Sequence, residues 1–180
     1  MIRALVLDVD GVLSDGGVIL DAGDGEAKRF HVHDGVGIKL AQTAGWRVLF
    51  LTARNSPPAR RRAEELQAEY ALGVAEKAGF LEGWLEEAGI DWSEVAYVGD
   101  DLQDLKSLRR VGWPIAVANA VAEVREAVRH VTRLPGGHGA VREAVEWLLD
   151  EHGIREETVA SFVSRREGFA VGTDSRGEDK

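Results

Sequence analysis

The 180-residue chain contains no cysteine, so disulfides and thiolate metal sites are excluded. It has no uninterrupted apolar run near the roughly 20 residues that a membrane helix needs, and no membrane partner is expected. The N-terminus runs straight into a strand-like segment at Ile2, leaving no room for a signal peptide, so a cytoplasmic location is the default expectation. Basic residues are in short supply: 22 Lys and Arg stand against 31 Asp and Glu, a formal net charge of -9. That balance argues against nucleic acid as a partner, because non-specific binding needs basic surface. It also requires that an anionic substrate find local positive charge, from a metal ion or from clustered Arg and Lys. The rest is ordinary: 44% hydrophobic and 29% charged residues, in a length that suits one domain with a substantial core.

One stretch organises the chain, Ile2-Arg3-Ala4-Leu5-Val6-Leu7-Asp8-Val9-Asp10-Gly11-Val12. Its apolar run reads as a parallel strand buried on both faces. It ends in two aspartates one residue apart, and neither belongs in a core, because an unpaired buried charge costs several kcal/mol or more (about 3–5 kcal/mol where a pair is broken). In an open α/β sheet the C-terminal strand ends are where ligands bind.

Further strands are predicted at Arg47–Leu51, Tyr70–Leu72, Val95–Val98, Pro114–Val117 and His130–Thr132. Helices are predicted from Asp34 to Gly45, from Ser56 as N-cap with Pro57 at the first position to about Glu69, from Lys77 to Gly89, through Leu105 and Leu108, near Val121–Val128, and from Ala140 to Glu151. Two strand-like pieces around Asp21–Gly25 read as a β-hairpin insertion at about 16–33, with His31 and His33 on one of its faces. The alternation predicts an α/β class, a doubly wound, mostly parallel, Rossmann-like sheet without a large cap domain. Residues 1–152 form a single domain in this reading. Residues 153–180 form a tail with one or two helical turns through Val159, Phe162 and Val163 and a disordered last dozen residues.

Four strand ends carry polar residues to one edge: Asp8 with Asp10, Thr52, Lys77, and Asp100 with Asp101 and Asp104. Carboxylates converging without cysteine or a histidine cluster point to a hard cation, and Mg²⁺ is typically held by one or two carboxylates plus a phosphate. Asp101 and Asp104 are either supports for that site or helix N-terminal acids, and Asp15 reads as a turn residue. Arg60-Arg61-Arg62 reads as a solvated helix face.

The order Asp-x-Asp-Gly, hydrophobic-Thr-x-Arg, Lys, Gly-Asp-Asp resembles the haloacid dehalogenase-like phosphohydrolases as far as about His152. Asp8–Gly16, Phe30–Ile38, Val95–Asp101 and Gly136–Glu143 are similar to the KdsC-type branch, the 3-deoxy-D-manno-octulosonate 8-phosphate (KDO 8-phosphate) phosphatases. The resemblance implies an HAD-like fold and the following roles. Asp8 is the nucleophile that forms an aspartyl-phosphate, and Asp10 the general acid and then base. Asp8, Asp100 and the main chain of Asp10 bind Mg²⁺. Thr52 and Lys77 hold the phosphoryl oxygens, Lys77 also offsetting the charge of Asp8. Arg54 suits recognition of a substrate carboxylate.

This chain departs from the family pattern in having Ala53 for Gly in Thr-Gly-Arg, and His138 where Arg or Lys precedes Gly-Ala in a loop that reaches substrate. The resemblance further implies a small sugar-acid phosphate substrate, lipopolysaccharide precursor synthesis, and a homotetramer in which the hairpin of one subunit covers the site of the next. The alternatives are a nine-carbon keto-deoxy sugar 9-phosphate as substrate, or a receiver-like phospho-signalling module.

Overall fold

The computed structural model describes residues 1–20 and 25–167. Its centre is β1, Ala4–Leu7, whose four side chains are all buried. β1 is paired in parallel on both sides, to Arg47–Leu51 and to Val95–Gly99. A strand with neighbours on both edges and helices on both faces has no solvated side, which is why its sequence does not alternate.

The elements in chain order are β1, then β2 (Ile19–Leu20) and β3 (Glu26–Ala27), α1 (Val32–Thr43), β4 (Arg47–Leu51), α2 (Pro57–Leu66), β5 (Glu69–Ala71) and α3 (Lys77–Ala88). There follow β6 (Val95–Gly99), α4 (Leu105–Leu108), β7 (Trp113–Ala116), α5 (Ala122–Arg125), β8 (His130–Val131), α6 (Ala140–Glu151) and α7 (Arg155–Glu167). The six long-range strands form one parallel sheet in the order β5-β4-β1-β6-β7-β8. Numbered within that sheet the order is 3-2-1-4-5-6, the doubly wound arrangement, whereas receiver-type sheets run 2-1-3-4-5. The topology therefore removes the signalling alternative. Helices flank the sheet, α1 packing on α2, α6 and α7, and α3 on α4.

The hairpin is shorter than its predicted span. β2 and β3 are two residues each and pair antiparallel, Ile19 with Ala27 and Leu20 with Glu26. The turn expected at Asp21–Gly25 falls largely on residues 21–24, outside the described residues. α1 starts at Val32 rather than Asp34, because His31 is its N-cap and takes the His33 N–H on Nδ1 at 3.3 Å. The two histidines therefore belong to a helix start, not a hairpin face. α2 begins as expected, with Ser56 accepting the Ala59 N–H and Pro at the first turn. It ends at Leu66, short of Glu69, because Gln67 turns left-handed (φ 55°) and leads into β5.

The segment after Gly153 forms a 13-residue helix, longer than the one or two turns expected. α7 lies on α1 and α6, with Thr158 buried and Phe162 packed against the core. The last dozen residues, expected as disordered, lie outside the described residues. No described helix is long and apolar enough to cross a membrane.

Candidate active site

The doubly wound order reverses direction between β1 and β6, and ligands in such sheets bind beyond the strand ends at that switch. Asp8 follows β1 and Asp100 follows β6, so the two acids flank the switch. Thr52 ends β4, and Lys77 opens α3 after β5.

The chain leaves β1 through a single wide turn, Val9–Leu13, closed by the Ser14 N–H donating to the Val9 carbonyl at 2.9 Å. The turn is broken by extended Asp10 and by Gly11 at φ 95°. Gly11 is required twice over: its φ lies in the left-handed region, and a Cβ there would stand 2.0 Å from Asp100 Oδ2. The break also separates the two acids. Asp8 turns inward to Lys77 and the buried acids, while Asp10 faces Lys28, Thr52 and Arg54.

Lys77 is the hub of the buried half. Its side chain is fully buried, and Nζ donates to Asp8 Oδ1 at 2.6 Å and to Asp104 Oδ1 at 2.7 Å. Burial pulls its pKa down, but the charges of Asp8 and Asp104 outweigh that and leave it raised. Asp104 also accepts from the Tyr97 hydroxyl at 2.8 Å and from the backbone N–H groups of Asp100 and Asp101 at 3.0 and 3.4 Å. With both oxygens engaged, Asp104 anchors Lys77 and the loop after β6. Asp101 is an exposed cap that accepts from the Leu102 N–H.

One oxygen each on Asp8, Asp100 and Asp104 lie within 4.8 Å of one another. Asp8 Oδ2 and Asp100 Oδ1 are buried without a hydrogen-bond partner. Burial, only partly offset by Lys77, raises the Asp8 pKa to about 6. Burial and then repulsion from Asp8 and Asp104 raise that of Asp100 to about 8. Two orphaned carboxylate oxygens that resist ionisation are the mark of a site built around a positive charge it must borrow. An all-oxygen donor set fits Mg²⁺. Of the acids expected to hold it, Asp8 and Asp100 present free oxygens, while the Asp10 side chain points elsewhere. That leaves the Asp10 main-chain carbonyl as the group available from that residue.

Thr52 donates to Asp10 Oδ2 at 3.4 Å and accepts the Arg54 N–H at 3.1 Å. Arg54 is half-exposed, with Nε 4.0 Å from Asp10 and Nη2 3.5 Å from Glu26. Ala53 is accommodated without strain, since Gln67 is the one non-glycine residue with positive φ among the described residues. His138 is the predicted site residue least connected to the acids. Its Nε2 meets Arg29 at 3.0 Å and its Nδ1 meets the Gly136 carbonyl at 2.9 Å. A guanidinium only donates, so in this arrangement Nε2 accepts and Nδ1–H donates.

Three residues escaped the motif reading. Lys28 sits on the Asp10 carboxylate and 2.6 Å from Glu26. Glu26 in turn accepts from Ser56 Oγ at 3.3 Å. Asn119 joins the glycine loop to the Val9–Leu13 turn, accepting the Gly136 N–H at 2.7 Å and donating to the Gly11 carbonyl at 3.4 Å. The alternation of charge in Glu26-Ala27-Lys28 was the one available signal, since residues two apart on a strand share a face.

The chain has close relatives of known kind. A family model of haloacid dehalogenase-like hydrolases matches residues 69–143. The 3-deoxy-D-manno-octulosonate 8-phosphate phosphatase KdsC of Haemophilus influenzae is 37% identical over 178 residues, covering 98% of this chain and 96% of that one. Among solved structures, a 3-deoxy-D-manno-octulosonate 8-phosphate phosphatase of Moraxella catarrhalis, in complex with magnesium ion, phosphate ion and KDO, superposes with a TM-score of 0.86 at 37% identity, over 89% of this chain and 93% of that one. The cobalt-bound deoxy-D-mannose-octulosonate 8-phosphate phosphatase of H. influenzae gives 0.84 at 38% identity, over 90% and 96%.

Proposed function

Because this chain belongs to the haloacid dehalogenase-like hydrolases, in their KDO 8-phosphate phosphatase branch, we propose that it hydrolyses KDO 8-phosphate to the free sugar acid and phosphate, with Mg²⁺, in lipopolysaccharide precursor synthesis. One observation carries the reading: a buried Asp8 held at one oxygen by Lys77, with the other unpartnered beside Asp100 at the switch of the sheet.

The chemistry is a double displacement. Asp8 attacks phosphorus, the bond from phosphorus to the sugar oxygen breaks, and Asp10 gives that oxygen its proton. Water then loses a proton to Asp10 and attacks the aspartyl-phosphate, and the bond from phosphorus to Asp8 breaks to release phosphate. Thr52 and Lys77 orient the phosphoryl oxygens. Mg²⁺ between Asp8, Asp100 and the Asp10 carbonyl would neutralise charge on the acids and the phosphoryl group. Phosphoryl transfer depends mainly on such positioning and charge stabilisation, so few residues suffice.

The reading extends to assembly and place. Ile19 and Leu20 on β2 are 59% and 73% exposed. That apolar strand suits burial against another subunit in a homotetramer, with the hairpin near a neighbour's site, and the enzyme is taken to be cytoplasmic. Phosphate release from a panel of sugar phosphates, with and without Mg²⁺, tests the function in wild type and Asp8→Asn. No turnover of any keto-deoxy sugar phosphate would sink the substrate. Unchanged turnover in Asp8→Asn would sink the mechanism. Sedimentation as a monomer would remove the shared-site assembly.

A further inference from the structure

Just past β3, Lys28 brings a cation to the open side of Asp10, on a residue that is only part-buried. Two acids hold it, Asp10 and Glu26, the latter at 2.6 Å. An ammonium has three donors, and the third has no partner among the described residues. Glu26 is itself nearly buried, at 12% exposure, and gathers three groups: Lys28, the Ser56 hydroxyl at 3.3 Å and Arg54 at 3.5 Å. It therefore seats the end of the hairpin on the N-terminus of α2 within the same subunit and orients both cations at the mouth. Lys77 lies on the other side, bound to Asp8. The two lysines thus divide the site, one beside the nucleophile and one beside the group assigned to the leaving oxygen.

We propose that Lys28 is the leaving-group contact of this phosphatase, its free N–H binding the oxygen-rich sugar acid next to Asp10, and that Glu26 is its positioning residue. The inference rests on the phosphatase reading. Lys28 touches the part of the substrate that differs between phosphomonoesters, not the phosphoryl group common to all of them. Beyond its pair with Asp10, it therefore acts on specificity.

The test compares two substrates: the sugar phosphate that wild type turns over best, and p-nitrophenyl phosphate, which has no sugar and whose phenolate leaves without a proton. For Lys28→Met, kcat/KM toward the sugar phosphate is expected to fall about 10- to 100-fold, the loss of one charge-assisted hydrogen bond, and mainly through KM. With p-nitrophenyl phosphate the fall is expected to be about 10-fold smaller, since there only the pair with Asp10 is lost and no sugar contact. Glu26→Gln is expected to shift the same ratio in the same direction by a smaller factor. Lys28→Arg, which keeps the cation, should recover most of the loss and separates a binding role from misfolding. Equal losses on both substrates, or none on either, would overturn the proposal. Using the best sugar phosphate of the panel keeps this outcome separate from the identity of the substrate: if KDO 8-phosphate is not turned over, the substrate reading fails while the ratio for Lys28 still decides.

Discussion

The carboxylate of Asp34, in the first turn of α1, accepts the backbone N–H of Arg142, in the first turn of α6, at 2.9 Å. α6 begins at Gly139 and has no side-chain cap of its own. One helix thus supplies the cap of another, and does so next to the glycine loop that abuts the catalytic turn. Burial raises the Asp34 pKa, with the Arg142 N–H the main opposing contact. Asp34→Ala leaves that donor unpaired and is expected to cost about 1–3 kcal/mol. At roughly 2–4 °C per kcal/mol for a chain of this size, thermal unfolding should register the change, and an unaltered midpoint would refute the cap.

Asp104 carries a heavier load, with Lys77, Tyr97 and two backbone N–H groups on its oxygens. Asp104→Ala removes one partner of a buried pair, a change that costs about 3–5 kcal/mol. Urea unfolding should show it. Activity should fall as well, since Lys77 would then be held by Asp8 alone. A stable, active variant would remove Asp104 from this role.

The acids at the switch make a pH dependence. In the folded protein burial lifts Asp8 to about 6 and Asp100 to about 8, above the ordinary carboxylate range of about 3.9 for Asp. The native state therefore holds more protons than the unfolded state between about pH 4 and 8, and stability from these two groups falls as pH rises through that window. Asp100→Asn removes one of them. In EDTA, the stability of wild type relative to Asp100→Asn should decline from pH 5 to 8. Mg²⁺ binds only the ionised acids, displacing protons below pH 8. It should therefore raise the wild-type melting temperature more at pH 8 than at pH 5. A flat difference between the two proteins would contradict the raised values.

At position 53 the outcome should be small and of known sign. The residue needs no left-handed conformation, so Ala53→Gly is expected to lower stability by about 0.4–1 kcal/mol through the unfolded chain and to leave kcat unchanged. A gain in activity would mean that the family glycine serves the chemistry.

The fold and the acid set were legible because they rest on local pattern. The doubly apolar β1, the Ser56-Pro57 helix start, the Gly89 stop and the Lys77 helix each declare themselves within a few residues. What was not legible depends on long-range pairing. Asp34 capping a helix 108 positions away and Asn119 joined to both Gly11 and Gly136 have no signal in spacing, and the Glu26-Ala27-Lys28 alternation puts two charges on one face without saying that Lys28 meets Asp10. α1 starts two residues before the Asp34 expected from sequence, because His31 takes its cap, and Asp34 inside the first turn reaches α6 instead. His138 stands in a loop expected to reach substrate, and only the fold reveals that Arg29 and the Gly136 carbonyl occupy both ring nitrogens.

Gly136 lies so close to the catalytic turn that a Cβ there would stand 1.8 Å from the Gly11 carbonyl oxygen. Seen from the ribosome, that contact sets a timetable. Asp8 is among the first residues made, yet Lys77, Asp100 and Asp104 follow far behind it, and the glycine that braces its turn comes later still. A nascent or truncated chain that stops before residue 136 carries Asp8, the proposed nucleophile, but not its support. Phosphatase activity therefore reports that synthesis has passed the glycine loop, and fragments released early should be hydrolytically silent.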